Sequence, residues 1–177
     1  MGHPMRNSVL GYFAKFRGAG GAAMPRPPLR LILLAGFGGG LALATVALLA
    51  QTMHLPWILG SFGATCVLVF GFPDAPFSQP RAVIGGHVVA SAIGVAVVCL
   101  LGSTWWTIAL AGSLGIMAML ALRIVHPPAG SNPVIAVVGL AHWDFILLPT
   151  LLGAVVIVLL ALVYLNATRP TCYPQRW

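Results

Sequence analysis

The residues best placed to do chemistry in this chain fall in one stretch, 123-RIVHPPAGSNPVIAVVG-139. It sets an arginine, a histidine, a proline pair and an Asn-Pro step between two long apolar runs. Asn132 is of a type that caps helices and Pro133 suits a first helical position, so the spacing predicts a short helix starting there. The free amides of a helix start carry positive potential, and the chemistry they offer is anion binding. Pro127 and Pro128 are expected to stop the preceding helix near Val125. His126 has two readings: a functional group fixed by a proline-locked backbone, or a donor to a carbonyl stranded at the break.

The other titratable groups narrow the chemistry. The only acids in the sequence are Asp74 and Asp144, both in expected loops, so a buried carboxylate is not available for acid–base work or proton coupling. There is no HExxH, nucleophile elbow or P-loop, and an enzyme is not expected. Cys66, Cys99 and Cys172 lack zinc-ligand spacing, so neither metal nor cofactor is expected. His87, about one turn into an apolar run, can bond across helices or change protonation. If protons are coupled, His87 or His126 must carry them. His54 and His142 read as interfacial residues. Arg81 and Arg123 are each either a snorkelling anchor or an anion-attracting group, and Asp74 lies close enough in sequence to pair with Arg81.

These groups sit in a chain that is 59% hydrophobic and 6% charged, with mean hydropathy +0.99. Soluble domains carry about 25% charged residues, so the chain reads as a polytopic membrane protein whose first partner is the lipid bilayer. Its formal charge of +7 lies largely in the flanks. Arg6, Lys15, Arg17, Arg26 and Arg30 precede the first apolar run, and Arg169 and Arg176 follow the last. That is the pattern of a cytoplasmic face rather than of a nucleic-acid surface. Residues 1–30 read as a basic, disordered tail, 31–165 as a transmembrane domain and 166–177 as a short cytoplasmic tail. A bacterial inner membrane is the expected location.

The elements that must position the chemistry are four long apolar segments, 31–50, 84–102, 104–122 and 145–165, and two short ones, 57–72 and 131–141. The second short piece covers about 17 Å, roughly half of a hydrocarbon core. Each short piece carries a Gly-Ser pair at its start, Gly60-Ser61 and Gly130-Ser131. If only the four long segments cross, Arg81 and Arg123 fall outside. If the short ones also carry the chain across, all nine basic residues lie inside and Asp144 outside. The expectation is therefore an all-α bundle of four long and two short, broken helices, arranged as a 3+3 inverted repeat. Short interrupted segments at matching positions mark substrate sites in transporters. The candidate site comprises His126, Pro127, Gly130, Ser131, Asn132, Gly60, Ser61, His87, Arg123 and Arg81, with two helix starts facing each other near the midplane.

Small residues at four-residue spacing, Gly36-Gly40-Ala44 and Gly86-Ala90-Gly94, allow close helix packing within a monomer or in a homo-oligomer. The last helix, rich in Leu and Val, is expected to face lipid. Trp57, Trp105, Trp106, Trp143 and Tyr164 are expected to form an interfacial belt.

Together with 60-GSFGA-64, 79-QPR-81 and 84-IGGH-87, the segment 126-HPPAG-130 closely resembles the HPP family of integral membrane proteins, named for its His-Pro-Pro triplet. The resemblance covers roughly residues 30–165. Some plant and cyanobacterial members are described as nitrite transporters, so it implies a transporter or channel for nitrite or a similar small anion. Members often read HPPAGAT where this chain has HPPAGSNP, and some carry CBS domains, which are not read in these residues. The alternative is a noncatalytic membrane scaffold or sensor subunit.

Overall fold

Backbone inside a bilayer must satisfy its own hydrogen bonds, and for a single segment only a helix does so. The computed structural model describes residues 9–54 and 59–177, and no strand occurs among them. The helices are α1 (Val9–Ala14), α2 (Leu29–Thr52), α3 (Gly60–Gly71), α4 (Pro80–Leu101), α5 (Trp105–Ala121), α6 (Asn132–Val138) and α7 (Leu152–Thr168). A wide, kinked turn, Ile146–Leu151, leads into α7. Among the described residues, three helical stretches rather than four are long and apolar enough to span: Leu29–Thr52, Pro80–Leu101 and Ile146–Thr168. The expected fourth, α5, has 17 residues, about 25 Å at 1.5 Å per residue. In the tail expected to be disordered, α1 and a following 3₁₀ turn carry exposed Tyr12, Phe13 and Phe16, whose rings meet edge to face.

The helix ends explain where the chain turns. α5 opens on a capping box between Thr104 and Thr107. It ends at Ala121, before the expected Val125, because the Ile124 N–H reaches back to the Met119 carbonyl across Arg123 at φ 56°. That is a Schellman closure, which normally selects glycine at the left-handed position. α6 ends the same way, with Ala141 N–H bonded to the Ala136 carbonyl across Leu140 at φ 50°.

Contacts between helix ends fix directions. The Tyr164 hydroxyl near the end of α7 donates to the Leu34 carbonyl near the start of α2. Arg169 pairs with Asp74 in the α3–α4 loop, so Asp74 meets Arg169 rather than Arg81. Along α4, Gly86 lies against His126 and Gly94 against Pro133 and Ala136 of α6. Phe62 of α3 packs on Gly153, and Phe70 on Tyr164, so α3 runs alongside α7. These contacts gather the start of α2, the loop carrying Asp74, the start of α4 with Arg81, and the end of α7 at one end of the bundle. Trp105, Trp106 and Trp143 are exposed near the starts of α5 and α7, at the other end. Tyr164 is not part of that belt: it is half-buried inside α7. Trp57 lies outside the described residues.

Two further expectations differ from the fold. The tail after α7 is pinned rather than free: Tyr173 is 2% exposed and its hydroxyl donates to the Ser78 carbonyl. Burial pushes that phenol's pKa up, so it stays a donor. Gln79 Oε1 accepts from the Gln175 N–H in the same contact. α7 also does not lie wholly in lipid, since Gly153, Ala154, Ile157, Val158, Ala161 and Leu165 are buried. Its small residues let the bundle close on that face.

Candidate functional site

Three pairs or segments turn polar side chains inward. Ser61 and Thr65 lie one turn apart on α3, and His87 and Ser91 one turn apart on α4, so each pair shares a helix face. His126 precedes two prolines and is held extended at φ −131°, ψ 99°, as the residue before proline must be. After it, the chain makes a 3₁₀ turn, Pro127–Ser131, and only then α6. Ser131 takes the cap position, and Asn132 lies inside the first turn with helical dihedrals. The Asn132 side chain is thereby released from capping.

It points across to α4. Asn132 Nδ2 lies 3.0 Å from His87 Nδ1 and 2.9 Å from Ser91 Oγ. His87 Nε2 lies 2.8 Å from Thr65 Oγ1, and His126 Nε2 lies 2.9 Å from the same oxygen. His126 Nδ1 meets the Phe77 carbonyl at 2.7 Å, and Ser91 Oγ meets Thr150 Oγ1 at 3.0 Å. Thr65, His87, Ser91, His126, Asn132 and Thr150 are all 0% exposed. The Phe62 ring closes the cluster edge-on to His87, centroids 5.3 Å apart.

The acceptors dictate the protons. A carbonyl only accepts, so His126 Nδ1 carries a hydrogen and its neutral Nε2 is a lone pair. An amide N–H faces His87 Nδ1, which therefore accepts, leaving the hydrogen on Nε2. The uncharged network is thus a one-way chain: Asn132 donates to His87, His87 to Thr65, Thr65 to His126, and His126 to Phe77. Two buried polar atoms find no partner among the described residues: Ser61 Oγ and Asn132 Oδ1. Such atoms are uncommon in folded interiors, and each calls for an explanation, for instance a bound species.

Of the candidate residues, the structure brings together His126, Asn132, His87 and, through Thr65, Ser61. Thr65 Oγ1 lies 2.9 Å from the Ser61 carbonyl. The expected pair of facing helix starts is replaced by a convergence of side chains, with His87 standing between Thr65 and Asn132. Along α4, His87 lies about 10 Å from the helix start at Pro80 and Ser91 about 16 Å. Arg81 and Arg123 are exposed and outside the cluster, as are Pro127, Ser131 and Gly60, while Gly130 is half-buried beside it. Ser131 Oγ bonds instead to the Pro128 carbonyl. Sequence reading missed Thr65, Ser91, Thr150 and the Phe77 carbonyl. The signal for the first two was four-residue spacing from Ser61 and from His87. Two apolar grooves border α2, one of 530 Å³ against the α3–α4 loop and the end of α7 and one of 420 Å³ against α3, and neither is lined by a residue of the cluster. The polar site is closed to solvent in this conformation.

The chain is 39% identical over 185 residues to a transmembrane protein of Dictyostelium discoideum, covering 96% of this chain and 64% of that protein. A second transmembrane protein of that organism is 33% identical over 178 residues, with 94% and 57% covered. The chain thus spans about three fifths of the length of these curated relatives. No solved structure matches it. Residues 24–174, which hold the whole bundle from α2 to α7, match the HPP transmembrane region, and the chain belongs to the HPP family of membrane proteins.

Proposed function

We propose that this chain is a non-enzymatic membrane carrier for a small inorganic anion, with nitrite as the first candidate. The observation that supports it is the buried polar cluster with two unpartnered atoms, Ser61 Oγ and Asn132 Oδ1. Polar groups within a membrane bundle are costly and are found where a solute passes or binds. The Ser61 hydroxyl offers a donor to an anion, and the basic residues gathered at one end raise the local anion concentration there. Nitrite is favoured by the resemblance to family members described as nitrite transporters.

A 3+3 inverted repeat supplies the motion. Halves α2–α3–α4 and α5–α6–α7 each hold their shortest helix in the middle, and their packing exchanges: α2 lies on α7 as α5 lies on α4, and α3 lies on α7 as α6 lies on α4. The end-to-end contacts run α6 alongside α4 and α3 alongside α7. In this reading the short helices complete six crossings, and rocking of the halves exposes the closed site alternately. The basic end, with residues 15–30 and 169–176, faces the cytoplasm of an inner, plasma-type membrane.

A specific feature favours a second reading, a noncatalytic scaffold. Gly36, Gly40 and Ala44 form an exposed stripe on α2, and a Cβ added at Gly36 or Gly40 would meet nothing within 4 Å. Liposome flux separates the two. Protein-dependent nitrite uptake, lost in His126→Ala and Asn132→Ala variants that still fold, supports the carrier. A folded preparation that moves no nitrite, nitrate, formate or chloride supports the scaffold.

A further inference from the structure

Thr65 has one hydroxyl hydrogen and three neighbours that compete for it. Its Oγ1 lies 2.9 Å from the Ser61 carbonyl, 2.8 Å from His87 Nε2 and 2.9 Å from His126 Nε2. In the uncharged network the hydrogen goes to His126 Nε2, the one lone pair that has no other donor. A second arrangement satisfies every atom equally well. If His126 Nε2 gains a hydrogen, Thr65 accepts from both rings and turns its own hydrogen to the Ser61 carbonyl. His126 Nδ1 keeps its bond to the Phe77 carbonyl throughout. The chain of bonds from His87 through Thr65 to His126 and Phe77 therefore has two intact states that differ by one proton. None of the bonds needs to be abandoned to pass between them, only the rotation of one hydroxyl.

Among the described residues no carboxylate balances the added charge: Asp74 pairs with Arg169 and Asp144 is exposed. Among titratable groups on the packed elements, His87 alone touches His126, ring centroids 5.0 Å apart. On α3, Cys66 turns toward Gly39 of α2. On α4, Arg81 and Cys99 are exposed, as is Arg123 just before the segment. α5 and α6 carry no titratable side chain. Asp74 pairs with Arg169, and the Tyr173 hydroxyl donates to Ser78. An imidazolium buried without a carboxylate needs a mobile anion beside it. One of the two unpartnered atoms suits that guest, since the Ser61 hydroxyl supplies an O–H donor.

We infer that Thr65, His87 and His126 form a proton-binding site that loads one proton with each anion, so that a small monovalent oxoanion is carried as its acid equivalent. The inference rests on the carrier reading above. In the loading step a solution proton bonds to the lone pair of His126 Nε2, and the anion enters with it. Release reverses both, nothing is oxidised or reduced, and the pair moves no net charge. Lower pH on the loading side therefore raises uptake.

Calorimetry on the purified full chain in nanodiscs, titrated with sodium nitrite in two buffers of different ionisation enthalpy, counts protons per anion. The expected count is about one, falling toward zero in Thr65→Val and retained in Thr65→Ser. Nitrogen NMR of histidine-labelled wild-type protein is expected to show His126 becoming doubly protonated when nitrite is added, which locates the proton even if Thr65→Val fails to fold. Nitrite heat without proton uptake, or uptake with His126 unchanged, overturns the inference and leaves the carrier reading standing. Absence of both nitrite heat and protein-dependent flux overturns the carrier reading and the inference with it.

Discussion

His87 and His126 come from different segments of the chain, yet their Nε2 nitrogens converge on one oxygen, Thr65 Oγ1, at 2.8 and 2.9 Å. This oxygen joins α3, α4 and the HPP segment. Thr65→Val keeps the shape and deletes the bond, leaving two buried ring nitrogens facing a methyl group. An abandoned buried polar atom costs about 1–3 kcal/mol, so thermal unfolding in detergent is expected to show a clear fall in Tm. Thr65→Ser keeps the hydroxyl and is expected to lie near wild type. Equal stability of the Val and wild-type proteins would mean that the rings find other partners.

Ser61 is the opposite case. Its hydroxyl is buried and bonds to nothing among the described residues, so Ser61→Ala removes no internal bond. Stability is expected to hold or rise slightly, while nitrite flux falls about tenfold, the loss of one hydrogen bond to a guest of about 1.4 kcal/mol. A variant with unchanged flux would remove this hydroxyl from the site.

Much of this was legible in the sequence. His126, His87 and Asn132 stand out as polar side chains in apolar runs, and their cost in a bilayer points inward. The direction of the Asn132 side chain was not legible, because Asn before Pro reads as a cap. Only the 3₁₀ turn through Pro127–Ser131 moves the cap to Ser131 and frees the amide. Thr65 and Ser91 are of types common in membrane helices, and only the meeting of three segments singles them out. The end of α5 was misplaced because a Schellman closure with arginine at the left-handed position has no strong sequence mark.

The pinned C-terminal segment offers a contrast between a buried and an exposed bond. The Tyr173 hydroxyl bonds to Ser78 in a buried setting, so Tyr173→Phe is expected to cost about 1 kcal/mol. The Arg169–Asp74 pair lies at the surface, with Asp74 57% exposed. Asp74→Asn is expected to cost less, about 0–1 kcal/mol, as exposed ion pairs typically do. Chemical denaturation of the two variants in the same detergent tests the order.

Cys172 reports orientation. It is exposed beside the basic end, whereas Cys66 is buried. In a Cys99→Ser background, a membrane-impermeant maleimide added to intact cells is expected to leave the protein unlabelled until the cells are permeabilised. Labelling from outside would reverse the proposed orientation.

The glycines of α4 and α2 test packing against function. A Cβ at Gly94 would stand 2.6 Å from Pro133 Cα and 2.8 Å from Ala136 Cβ. The first of these is backbone, which has no rotamer to retreat into. Gly94→Ala must therefore push α6 away from α4, at a cost of about 1–3 kcal/mol for overpacking. The same shift draws Asn132 away from His87 and Ser91, so flux is expected to fall along with stability. A Cβ at Gly40 meets nothing within 4 Å, so Gly40→Ala is expected to leave Tm of the monomer unchanged. If its flux also stays at the wild-type level while Gly94→Ala loses activity, the close approach that matters for transport is the one between α4 and α6. Loss of flux in Gly40→Ala without loss of Tm would shift the weight to an assembly through the α2 stripe, which size-exclusion chromatography with light scattering reads directly.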